Sequence, residues 1–176
     1  MKVINLFGVP GAGKSTGAAY IFSRLKMLGI NVELVTEFAK DKVYEDNMSV
    51  FENQAYIFGK QSFKMSRCRN KVDYIVTDSP LLLSAFYNTD PVLGDSFNGV
   101  VNNVFNSYEN INFYVERTKP YNSSGRLQTE QESDKMMLPL KNMLDRLGIE
   151  YQTVSGELAG YDAIIYSVLN REDNRS

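Results

Sequence analysis

The chemistry in this sequence begins at Gly8-Val9-Pro10-Gly11-Ala12-Gly13-Lys14-Ser15, which fits the spacing G-x-x-x-x-G-K-[ST] at Gly8, Gly13, Lys14 and Ser15. In such a loop the backbone N–H groups point inward and, with the following helix N-terminus, cradle phosphates. Lys14 is placed to reach the β- and γ-phosphates of a triphosphate, and the Ser15 hydroxyl to ligate magnesium. Glycines let the backbone turn sharply and approach the ligand with no side chain in the way. Gly8, Pro10, Gly11, Ala12, Gly13, Lys14, Ser15 and Thr16 are therefore the expected nucleotide contacts, with ATP and Mg2+ as cofactors. With glycine near ~7% of residues, chance would produce the pattern in roughly one chain of this length in a few hundred, and less often between a strand and a helix.

Histidine is absent. Proton removal at neutral pH then falls mainly to carboxylates. Glu37 and Asp78 each stand just past the end of an apolar run, where open α/β sheets place ligands. Either alone reads equally well as a helix N-cap. Together, beside the loop, Glu37 and Asp78 are the candidates for acceptor activation and magnesium binding, Asp78 with Ser15 for the metal, and the residues alone leave open which of the two carboxylates is the base. Residues 116–129 put Arg117, Lys119 and Arg126 in a polar loop ahead of a helix. Such a lid can bring arginine onto the charge that develops during phosphoryl transfer, and Arg126, behind Gly125, is the catalytic candidate. Arg117 is a candidate nucleotide contact, with a solvated basic loop as the alternative for it and Lys119.

Two other patterns carry less. Lys60, Lys64, Arg67 and Lys71 recur at helical spacing opposite Phe51, Ala55, Phe58 and Met65. A solvated face is the ordinary reading, and a phosphate-rich acceptor such as nucleic acid the other. Asn70-Lys71-Val72-Asp73 matches a guanine-reading motif, but it precedes a strand where that motif follows one, and Asp78 is followed by Ser79, Pro80 and Leu81 in place of the accompanying D-x-x-G. It reads as coincidence.

The elements that must position these groups alternate. Strands are expected over 2–7, 31–36, 74–77, 111–115 and 150–154, and helices over 14–28, 49–70, 80–87, 97–108, 129–147 and 157–169. Gly29 ends the first helix. Thr129 and Glu132 form a capping box for the helix that contains Pro139, which should kink or split it. Short apolar strands between helices imply a parallel sheet covered on both faces. The reading is one α/β domain over 1–170, with a lid at about 116–135 and a frayed tail at 171–176.

Composition agrees with that reading. The chain has 176 residues, 43% of them hydrophobic, and a net charge of -2 from 19 basic and 21 acidic side chains, which argues against coating nucleic acid by bulk charge. A single cysteine, Cys68, excludes an internal disulfide and a multi-cysteine zinc site. The sequence holds no membrane-length apolar run and no secretory leader, so a cytoplasmic protein is expected.

With these residues in place, the chain resembles the P-loop kinases related to the nicotinamide-riboside kinase domain of the bacterial NAD regulator, a family that includes small bacteriophage kinases. The resemblance rests on residues 8–16, on Thr36-Glu37-Phe38-Ala39-Lys40, on Thr77-Asp78-Ser79-Pro80, and on residues 121–129. It implies a three-layer fold with a five-stranded sheet in the order 2-3-1-4-5, and γ-phosphoryl transfer from ATP with magnesium to a hydroxyl. The acceptor would be a nucleoside, a nucleotide or a nucleic-acid base, including a hydroxymethylated pyrimidine. The resemblance also implies that Ser155-Gly156 lies near the adenine. A non-transferring ATPase or nucleotide-binding regulatory module is the alternative. The sequence leaves the acceptor and the oligomeric state open.

Overall fold

The computed structural model describes residues 1–46, 48–124 and 127–173. Five strands form one parallel sheet: β1 (Lys2–Phe7), β2 (Val32–Val35), β3 (Tyr74–Thr77), β4 (Glu109–Glu116) and β5 (Gln152–Ser155), in the order β2-β3-β1-β4-β5. The helices are α1 (Lys14–Met27), α2 (Phe38–Tyr44), α3 (Gln54–Ser66), α4 (Leu83–Phe86), α5 (Gly94–Asn106), α6 (Glu130–Arg146) and α7 (Leu158–Asp173), with a 3₁₀ turn over Met48–Glu52. The expected sheet order is the one observed.

The apolar strands are explained by burial on both faces. Successive side chains of a strand point to opposite sides. Val3 and Phe7 enter one core with Val35, Ile75 and Tyr114, beneath the face carrying α3, α5 and α6. Ile4 and Leu6 enter the other with Val76, Phe113 and Val115, against α1 and α7. Register then sets the site. Thr77 pairs with Asn5 on one side and Val35 on the other, so the carboxyl ends of β1, β2 and β3 lie along one edge. Gly8, Glu37 and Asp78 emerge from that edge.

Several elements differ from expectation. The segment after β2 is a short helix, α2. The helix expected over 49–70 is a 3₁₀ turn followed by α3, because the Asn53 side chain caps α3 by accepting from the Tyr56 amide at 2.9 Å. It closes at Ser66, and Asn70, at φ 62°, turns the chain into β3. Ala55 is exposed, and the buried face of α3 carries Gln54, Ile57, Phe58, Gln61 and Met65. α4 keeps only four residues of the expected 80–87, and α5 starts earlier, at Gly94. Pro139 does not split α6. It lies on the exposed face, where water can serve the Lys135 carbonyl that a proline cannot reach, while Leu140, Met143 and Leu144 hold the opposite face in the core. α7 continues to Asp173, past the expected end near 169.

Candidate active site

The glycine loop delivers the chain from β1 into α1. Gly13 occupies the N-cap of α1 at φ 99°, ψ 7°, a left-handed conformation, and a Cβ there would lie 2.5 Å from the Tyr161 hydroxyl oxygen. The first α1 amide with a helical partner is that of Gly17, bonded to Gly13 O at 2.9 Å. The N–H groups of Lys14, Ser15 and Thr16 therefore sit at the open helix end, where the dipole favours anions. The Lys14 ammonium donates to the carbonyls of Gly8 (2.7 Å) and Val9 (3.0 Å), which holds its charge across the mouth of the loop.

Neighbours fix this loop. The buried Ser133 hydroxyl of α6 donates to Pro10 O at 2.7 Å. The Tyr161 hydroxyl of α7 lies 2.9 Å from Gly13 O and 2.8 Å from Gly156 O. Gly156 itself presses on the loop: a Cβ would fall 2.1 Å from Ala12 O, so only glycine fits. The turn after β5 is thus in contact with the loop, beside the predicted phosphate contacts.

Glu37 and Asp78 come together. The Glu37 amide donates to Asp78 Oδ1 at 3.0 Å, and Asp78 is buried at 4% exposure. Glu37 occupies the N-cap of α2, yet its side chain makes no capping bond. The capping alternative therefore does not hold for its carboxylate. That group lines the same cleft as Lys14, Ser15 and Asp78. Burial raises its pKa, with Asp78 and Asp41 adding to the shift and Lys14 and Lys40 opposing it. A carboxyl group tuned upward in this way is suited to take a proton near neutral pH.

The cleft measures about 380 Å³. Beyond the carboxylates it has an apolar wall of Val43, Phe51, Ile57 and Leu83, with Gln54, Ser84 and Tyr87 supplying polar groups. Burial and the nearby Glu37 charge push the Tyr87 phenol upward, so it stays neutral and able to donate. Such a mix of apolar wall and sparse polar groups suits one small ring system. Leu127 and Gln128, ahead of α6, stand at the edge of the cleft. Sequence reasoning missed this wall, since its residues come from four elements and share no spacing.

A family model described as an AAA domain matches residues 3–159. The chain belongs to the AAA domain family. No curated protein matches its sequence. This AAA-domain protein is similar to three solved structures of deoxyadenosine kinase from M. mycoides. The one with products dCMP and a flexible dCDP bound has a TM-score of 0.60 and 23% identity, and the match covers 99% of this chain and all of that one. The structures with bound dATP and dCTP give TM-scores of 0.58 and 0.57 at 21% identity, covering 98% and 97% of this chain and all of theirs. At such identities the likeness is one of fold, that of the P-loop nucleoside kinases.

Within this AAA-domain fold the remaining predicted groups fare differently. Arg117 follows β4, and its guanidinium pairs with Asp134 and, at 3.6 Å, Glu130, both on α6, while stacking on Tyr121. It is absent from the cleft lining. Its charge ties the chain after β4 to α6. Gly125 and Arg126 lie outside the described residues. Lys64 donates to Thr36 O at 2.7 Å, and Lys60 stacks on Tyr56. Lys71 lies at the other edge of the sheet, where its carbonyl accepts from Asn31 just ahead of β2. The basic stripe does not converge on the cleft, and the Asn70–Asp73 motif lies at that far edge as well. Among the described residues no three His, Cys, Asp or Glu side chains gather as a metal cluster, and no helix is long and apolar enough to cross a membrane.

Proposed function

We propose that this protein transfers the γ-phosphoryl group of ATP to a hydroxyl of a nucleoside or nucleotide. One observation carries the reading: the Glu37 carboxylate, released from capping α2, faces the cleft between the phosphate loop and an apolar wall. The loop amides and the α1 N-terminus would hold the triphosphate, and Lys14 would swing from the Gly8 and Val9 carbonyls onto the β- and γ-oxygens. Glu37 would accept the proton of the attacking hydroxyl as the O–P bond to the acceptor forms and the bond to the ADP oxygen breaks. Tyr87 and Gln54 would orient the acceptor by hydrogen bonds.

The donor set also fits magnesium, which takes few protein ligands and oxygen only. Ser15 and the Asp78 oxygen not engaged by Glu37 N–H would hold it, and it would neutralise charge on the phosphates. The neighbours named deoxyadenosine kinase favour a deoxynucleoside acceptor, and a cleft of this size favours a free one over a base within a strand. The test is γ-labelled ATP offered with deoxyadenosine, deoxycytidine, their monophosphates, nicotinamide riboside, and single-stranded DNA carrying hydroxymethylated pyrimidines. Label on a free nucleoside or nucleotide supports the reading. Label on DNA moves the acceptor to a strand, and ATP consumption that no acceptor accelerates makes the protein a non-transferring ATPase.

A further inference from the structure

α2 has a peculiar attachment. It is seven residues long, buries none of them fully, and its N-cap side chain does not cap it. A helix this short has no stability of its own, and Phe38, Ala39 and Val43, its apolar contacts, are only half-buried. Its start is also held by three polar side chains from outside. Asp78 Oδ1 accepts from the Glu37 amide at 3.0 Å, and Gln61 Oε1 accepts from the Phe38 amide at 3.0 Å. Lys64 donates to Thr36 O at 2.7 Å and to Thr36 Oγ1 at 3.2 Å. Three consecutive residues are thus pinned, with Glu37 in the middle.

Gln61 is the unexpected member. It is 3% exposed on the core face of α3, and its Nε2 is buried without a hydrogen-bond partner. A buried unpaired donor is destabilising, so on packing grounds leucine or methionine would serve better there. What a glutamine adds is the oxygen that holds Phe38 N–H.

We propose that Gln61, assisted by Lys64, is a positioning residue for phosphoryl transfer: the two side chains of α3 and Asp78 occupy the bonding groups of Thr36–Phe38, fixing that backbone so that the Glu37 carboxylate is left for the acceptor hydroxyl. The inference rests on the reading of Glu37 as the proton acceptor. It also gives α3 a role distinct from nucleic-acid contact, because Lys64 acts inward on the turn. An error of about 1 Å in a reacting group can cost a hundredfold in rate, so loosening this turn should lower turnover about tenfold to a hundredfold while leaving ATP binding alone.

The test uses the full chain with ATP and water as the acceptor, so no substrate need be known. Gln61→Leu removes the oxygen and keeps the bulk, while Gln61→Glu keeps an acceptor for the Phe38 amide. Expected are a fall in kcat for ATP hydrolysis with KM unchanged in Gln61→Leu, recovery of most of it in Gln61→Glu, and a double variant Glu37→Gln/Gln61→Leu no slower than Glu37→Gln alone. Amide exchange should accelerate at Glu37 and Phe38 and not in the core. If Gln61→Leu does not fold, Lys64→Met, at a partly exposed site, carries the same comparison. Unchanged amide exchange would overturn the clamp itself. Faster exchange with wild-type kcat, when Glu37→Gln is slow, would overturn its part in catalysis. Wild-type turnover by Glu37→Gln would instead overturn the reading of Glu37, and the positioning role with it.

Discussion

At the scale of single residues, Lys14 and Glu37 carry opposite consequences for stability. Lys14 donates to two carbonyls of its own loop, and the loop turns on its glycines. Lys14→Ala should therefore retain its thermal transition and lose phosphoryl transfer by a few hundredfold or more, the scale of removing one donor to developing charge. A melt and a γ-labelled ATP assay on one preparation check both halves. Glu37 is the reverse case. Its folded pKa is raised, first by burial, so folding favours the protonated form. The stability it contributes is complete below the pKa of an unfolded glutamate and is lost as pH rises through the higher folded value. Glu37→Gln should thus melt with the wild type at about pH 4 and above it at pH 8, in EDTA. A difference in Tm that does not grow with pH would contradict this origin of the shift.

At the scale of elements, α6 and α2 mark what local sequence can and cannot convey. The Thr129 hydroxyl accepts from the Glu132 amide at 3.3 Å, and Glu132 Oε2 accepts from the Thr129 amide at 2.7 Å. The two partners lie three positions apart on the chain, so the capping box was legible. The glycine loop was legible for the same reason, and the sheet order followed from the resemblance that loop supports. α2 left no comparable trace, because its start is held by Asp78, Gln61 and Lys64, 23 to 41 positions from the residues they bind. Thr129→Ala should cost about 1 kcal/mol, the usual value of an N-cap, read from denaturant midpoints. Its bonds to Thr129 lower the Glu132 pKa. The stabilisation from Glu132 is therefore present above the ordinary glutamate value and lost as pH falls through the folded one, and Thr129→Ala should weaken that acid sensitivity. Turnover should change little, since Thr129 does not line the cleft.

At the scale of the whole molecule, the parallel sheet separates two edges, and that separation bears on the proposed choice of a small acceptor over a strand. The phosphate loop, Glu37 and Asp78 leave the carboxyl edge, and the cleft of about 380 Å³ lies there. α3 begins beside that cleft with Gln54 and Ile57 and runs away from it, so that Lys71 reaches the amino edge near Asn31. Lys60, Arg67 and Lys71 are exposed along this path, and none lines the cleft. A strand following them would be drawn from the reacting groups. Three phosphate contacts on single-stranded DNA would give log K against log salt a slope of roughly -2, at about -0.7 each. Lys60, Arg67 and Lys71 should accordingly tolerate joint replacement by glutamine, with nucleoside phosphorylation within about twofold of wild type. Titration of single-stranded DNA across a salt series should show no component of that slope in the wild type that the triple variant lacks. A slope near -2 that disappears in the variant, together with slower labelling of DNA, would place the acceptor on a strand after all and require that strand to cross from one edge of the sheet to the other.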